Sequence, residues 1–94
     1  MNKDGLIDAL ARQTGMTKVS SELACDAVFR IISDSLIFGE KVQIAGFGTF
    51  EARERAPRVG RNPRANTPVN IPARKVPFFK PTKGLKDAVS ESKN

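Results

Sequence analysis

Seven cations crowd one stretch of this chain: Arg53, Arg55, Arg58, Arg61 and Arg64, then after a gap Arg74 and Lys75. Arginine presents a planar fork of donors that matches phosphate oxygens, and it stays charged throughout the physiological range. Such residues, repeated every two or three positions, suit the neutralisation of a polyanion. The same stretch holds the turn formers Gly60, Asn62, Pro63, Asn66 and Pro68 and has little apolar surface to bury. Pro63 at its centre has two readings, turn punctuation or a rigid apolar wedge flanked by Arg61 and Arg64. Composition does not choose between them.

Catalytic chemistry is poorly supplied. The 94 residues include no histidine, the usual member of acid–base pairs, triads and metal sites. The ten acids fall mostly on the polar faces of predicted helices. Gly46-Phe47-Gly48 joins two predicted strands and opens no helix, so it is a tight turn and not a phosphate-cradling loop. No catalytic residue, metal ligand or cofactor is expected, and the chain does not read as an enzyme.

The net charge of +6 is unevenly distributed. Residues 1–50 carry five Lys/Arg against six Asp/Glu, residues 51–86 ten against two, and residues 87–94 one against two. Basicity therefore belongs to one segment, the pattern of a polyanion-binding element more than of general solubility. Cys25, the sole cysteine, excludes an intrachain disulfide and suggests a reducing compartment. It stands beside Ala24 and near Ala27 in an apolar helical pattern, as a small core residue would. With no apolar leader and no run of membrane-spanning length, a soluble intracellular protein is expected.

The elements that must carry these groups follow from periodicity. Leu6, Ile7, Leu10 and Ala11 place a helix over residues 3–13, stopped by Gly15. Thr17 caps a second helix over 18–38, closed by Gly39. Its apolar stripe, from Val19 and Leu23 through Val28, Ile31 and Leu36 and widened by Phe29, Ile37 and Phe38, must be buried on more than one side. After Gly39 the period becomes two. Val42 and Ile44 mark a short strand, and Thr49 to Ala56 a second with Arg53 and Arg55 on one face and Phe50, Ala52 and Ala56 on the other. Val69, Ile71 and Ala73 mark a returning strand, after which Phe78 and Phe79 re-enter the core. Pro57, Pro63, Pro68, Pro72 and Pro77 exclude a central strand but suit a two-stranded ribbon. At about 3.3 Å per residue, Arg53 to Pro63 would reach roughly 35 Å, comparable to the path around a duplex. Thr82 caps a last helix bearing Leu85, Ala88 and Val89. The order is α-α-β-β-arm-β-α, an α+β chain of one domain.

Gly46-Phe47-Gly48-Thr49-Phe50, Arg53, Arg55, Arg58, Gly60-Arg61-Asn62-Pro63, Phe79-Lys80, Lys83 and Leu85-Lys86-Asp87-Ala88-Val89 follow one another at a familiar spacing. Through them the chain resembles the bacterial histone-like HU and integration host factor family, from Met1 to about Val89. The resemblance implies a helical base, a three-stranded antiparallel β saddle, an extended β-ribbon arm and a short C-terminal helix in an intertwined homodimer or heterodimer. On that pattern residues 1–39 form the dimerisation body, 40–56 and 74–80 the saddle strands, 57–73 the arm and 82–90 the last helix. It further implies an architectural protein of the bacterial cytoplasm and nucleoid that binds, bends and compacts double-stranded DNA, with no membrane partner. Low sequence specificity is favoured over site-specific bending. Pro63 matches the family's intercalating wedge, a role described for such minor-groove binders. Arg53, Arg55, Arg58, Arg61 and Asn62 match arm contacts, and Lys3, Lys80, Lys83 and Lys86 match body residues facing phosphates. Arg64, Arg74 and Lys75 join them on charge. Phe29, Phe47, Phe50 and Phe79 match family core aromatics. After Pro63 the chain reads Arg64-Ala65-Asn66, where the family has a variable residue and Thr-Gly.

Two rivals stand beside this reading. Residues 9–17 and the helix after them resemble a helix-turn-helix, but a recognition helix needs polar side chains for base edges. Residues 18–38 offer Cys25, Ala27, Val28, Phe29, Ile31 and Ile32, with acids outside. The basic segment could alternatively dock an RNA or a protein.

Overall fold

The computed structural model describes residues 1–61 and 68–92. The expected tip residues Asn62, Pro63, Arg64, Ala65 and Asn66 lie outside the described residues, as do the side chains of Arg58, Arg61 and Ile71. The chain divides into two compact units, Met1–Asp34 and Ser35–Asn94.

In the first unit, α1 (Lys3–Thr14) starts at Asn2, whose side-chain oxygen accepts the Gly5 N–H at 2.9 Å. It ends at Gly15, as expected. The next helix, α2 (Lys18–Ile37), opens on Thr17, whose hydroxyl accepts the Ser20 N–H at 3.1 Å. Two ion pairs tie these helices together, Lys3–Asp26 at 2.7 Å and Lys18–Asp8 at 3.5 Å. Among the described residues only Ile7 and Cys25 are buried hydrophobic side chains. The expectation for Cys25 holds. Phe29, by contrast, is half exposed, and Val19, Leu23, Val28 and Ile31 are open to solvent. One copy of the chain does not cover the stripe.

The second unit begins with the end of α2. There the Gly39 N–H bonds the Leu36 carbonyl and the Glu40 N–H that of Ser35, the paired bonds that close a helix at glycine. Strands β1 (Val42–Ile44), β2 (Gly48–Arg55) and β5 (Arg74–Pro81) form an antiparallel sheet in the order β1-β2-β5. The centre strand β2 has no proline, while Pro77 and Pro81 sit on the edge strand β5, where missing N–H groups cost no ladder bond on the free side. Between them β3 (Arg58–Arg61) and β4 (Pro68–Ile71) make a separate two-stranded sheet. Last comes α3 (Lys83–Ser90), capped as expected by Thr82, whose hydroxyl accepts the Leu85 N–H at 3.3 Å. The α+β expectation and its element order hold.

Two expectations are corrected. The second strand was expected to run to Ala56 and the returning strand to include Ala73, yet both break there. The pairings Arg55↔Arg74 and Arg58↔Ile71 keep one register across the gap, which sets Pro57 level with Pro72. Two residues without N–H groups at one level interrupt the ladder without shifting it. The second correction is Phe78. Adjacent strand residues point to opposite faces, so Phe78 and Phe79 cannot both enter one core. Phe79 joins Phe50, its ring centroid 4.8 Å away, while Phe78 is 40% exposed on the other face.

Candidate functional site

The β1-β2-β5 sheet sorts its side chains by alternation. Directly paired residues share a face, so one face carries Thr49 with Lys80, Glu51 with Phe78, Arg53 with Val76, and Arg55 with Arg74. Lys41, just before β1, joins it through an ion pair to Glu51 at 3.7 Å. The opposite face carries Phe50 with Phe79 and Ala52 with Pro77. Phe47 closes this aromatic cluster, 5.1 Å from Phe79 and 6.4 Å from Phe50 by ring centroids. One face thus gathers Lys41, Arg53, Arg55, Arg74 and Lys80, and the other is apolar from Phe50 and Phe79 to Ala52 and Pro77, ending at the charged pair Glu54 and Lys75.

The turn before β2 fixes this sorting. The Phe47 N–H bonds the Ile44 carbonyl, and Gly46 at the third turn position has φ 77°, a left-handed conformation that favours glycine. At Gly48 the reason is space: a Cβ would lie 2.6 Å from the Phe79 ring and 2.7 Å from the Lys80 carbonyl. The glycine lets β2 approach β5 where the aromatic cluster forms.

On the cation-bearing face, Glu51 is the organising acid. Its Oε1 accepts from Arg53 Nε at 3.2 Å and Nη2 at 3.0 Å, while its other oxygen faces Lys41. The Arg53 guanidinium carbon lies 3.6 Å from the centroid of the Phe78 ring. Sequence reading missed this arrangement. The signal is present in the i, i+2 spacing of Glu51 and Arg53, but the sequence pattern places Phe78 in the core with Phe79.

The candidate residues are only partly gathered. Arg53, Arg55, Arg74 and Lys80 share the cation face. Lys75 is level with Glu54 on the other face, separated from Arg74 by the same alternation. Arg58 and Arg61 belong to β3. Lys83 and Lys86 are exposed on α3. Lys3 belongs to the first unit and is engaged by Asp26, whose hydrogen bond and charge raise the lysine pKa above its ordinary value. Asn62, Pro63 and Arg64 lie outside the described residues. No group of three or more His, Cys, Asp or Glu residues able to hold a metal occurs among the described residues, and no helix there is long and apolar enough to cross a membrane.

Comparison with known proteins agrees over almost the whole chain. A family model described as "Bacterial DNA-binding protein" matches residues 1–90. DNA-binding protein HU of Staphylococcus aureus (strain N315) is 57% identical over 89 residues, 95% of this chain and 99% of that protein. Its counterpart from Geobacillus stearothermophilus is 55% identical with the same coverage. Among solved structures, an Anabaena HU–DNA cocrystal structure matches with a TM-score of 0.92 at 39% identity, covering 98% of this chain and 100% of that one. HU from Thermotoga maritima matches with a TM-score of 0.67 at 38% identity, covering 95% and 98%.

Proposed function

The chain belongs to the bacterial DNA-binding protein family that includes HU, and we propose that it is an architectural protein that binds, bends and compacts duplex DNA as a dimer. The observation that carries this reading is the two-faced sheet, with Lys41, Arg53, Arg55, Arg74 and Lys80 on one side and the Phe47–Phe50–Phe79 cluster on the other. A face that gathers five cations, backed by an aromatic cluster on the other side of the sheet, suits a phosphate backbone, which neutralises it with release of counterions. The β3–β4 ribbon with Arg58 and Arg61 extends the strand register of this sheet. In this reading residues 57–73 form the arm, and Pro63 is its wedge between base steps. Lys3, Lys83 and Lys86 add backbone contacts.

Most of these contacts are with the backbone, which carries no sequence information, so low sequence specificity is the better reading. The helix-turn-helix alternative loses support, because Ser21 on its would-be reading helix is fully buried and most of the exposed stripe is apolar. A non-enzymatic role at the nucleoid, in the bacterial cytoplasm, completes the proposal.

Titration of a random-sequence duplex across a salt series tests it. Log affinity should fall linearly with log salt, by about 0.9 per phosphate neutralised. A flat response would overturn the reading. In ring closure, Pro63→Ala should lower bending more than affinity, and equal bending by parent and variant would remove the wedge.

A further inference from the structure

We propose that Phe78 is a positioning residue for DNA binding, its ring carrying the Arg53 guanidinium so that this contact is formed before the duplex arrives. The proposal rests on the reading of the cation face as a DNA surface. An aromatic ring on that face is otherwise unexplained. Alternation removes it from the Phe47–Phe50–Phe79 cluster, and its strand neighbours across the ladder are Glu51 and, diagonally, Arg53. The guanidinium carbon lies 3.6 Å from the ring centroid, within stacking distance.

Glu51 completes the clamp. Two of the five guanidinium N–H donors bond its Oε1, which leaves three for phosphate oxygens. The Glu51 side chain is 16% exposed, against 49% for Arg53 and 71% for Lys41. Its negative charge lies beneath the two cations, and an approaching phosphate meets positive groups first. A free arginine loses rotamer freedom on binding, at a cost of about two- to tenfold in affinity. An arginine already held between ring and carboxylate has lost it in folding. A planar guanidinium stacks flat on the ring and keeps its remaining donors at its edge, whereas an ammonium meets the ring only as a point charge, so the arrangement suits arginine better than lysine.

The test uses the full-length protein and a random-sequence duplex, with parent, Phe78→Leu, Phe78→Trp, Arg53→Ala and the Phe78→Leu/Arg53→Ala double variant. Phe78→Leu keeps an apolar side chain but removes the ring face. It should weaken binding about two- to tenfold, leave the salt slope unchanged, and have no further effect in the Arg53→Ala background. Phe78→Trp should bind like the parent. In the unbound protein, the Arg53 Nε–H resonance should carry a ring-current shift that Phe78→Leu abolishes. Parent affinity in a folded Phe78→Leu, or a full additive loss in the double variant, overturns the proposal. Should Phe78→Leu fail to fold, Arg53→Lys decides: it keeps the charge without the stack, and parent affinity there overturns the proposal equally. A parent that binds no duplex instead overturns the DNA-binding reading beneath it.

Discussion

Two side chains outside the sheet show how far local surroundings determine a role. Lys3 is one of the proposed phosphate contacts, yet its ammonium already bonds Asp26 at 2.7 Å. Binding must exchange that carboxylate for a phosphate, so the net gain is small. Because the folded pKa of Lys3 is raised, the pair supports the fold below the unfolded lysine's pKa and is lost as pH rises through the folded value. In Asp26→Asn, an NMR titration should show the Lys3 pKa returning downward, and duplex affinity at low salt should rise about twofold. Ser21 presents the opposite case, a polar group with nothing to bond. It is 0% exposed, and its hydroxyl has no hydrogen-bond partner among the described residues. Ser21→Ala removes a desolvated hydroxyl and should raise stability by about 1 kcal/mol in denaturant unfolding, with duplex affinity unchanged.

Among the elements, β2 has the most demanding neighbours, since β1 and β5 pair with it on both sides. Its entry is set by Gly46 and Gly48, for conformation and for space respectively. Gly48→Ala would press a methyl against the Phe79 ring and the Lys80 backbone, and backbone cannot swing aside. A loss of about 1–3 kcal/mol is expected in thermal or denaturant unfolding. Where β2 passes toward β3, the level pair Pro57 and Pro72 divides one register into two sheets. That break separates the packed sheet from the ribbon that the proposed function uses as an arm.

For the molecule, the decisive quantity is apolar surface left uncovered. Leu23 is 67% exposed, and Val19, Ile31, Ile37 and Phe38 are similarly open. Isolated exposed apolar residues are ordinary, but repetition along one helix marks a missing partner. On the proposed function, a second copy of the chain meets that need and supplies a second arm. Sedimentation should give the dimer mass at micromolar concentration. Leu23→Asp should abolish it, since burial of one leucine contributes about 1.5–3 kcal/mol and each dimer buries two. A monomeric parent with unchanged helix content would overturn the dimer.

Much of this is legible in the chain alone. Helix limits followed from Thr17, Gly15, Gly39 and Thr82, because caps act through bonds to residues three or four positions away. The segregated charge and the arm motif located the basic segment, and the over-wide stripe on α2 called for burial on more than one side, which one copy of the chain does not provide. These are properties of short stretches, and short stretches carry them whole. Pairing decided the rest. Which face Phe78 took, that Arg74 joined Arg55 while Lys75 did not, and that Asp26 reached Lys3 all depend on residues more than twenty positions apart or on the strict alternation that register imposes. Charge and periodicity state what a residue can do. Only the register of β2 against β5 determined that the Arg53 guanidinium rests on a ring.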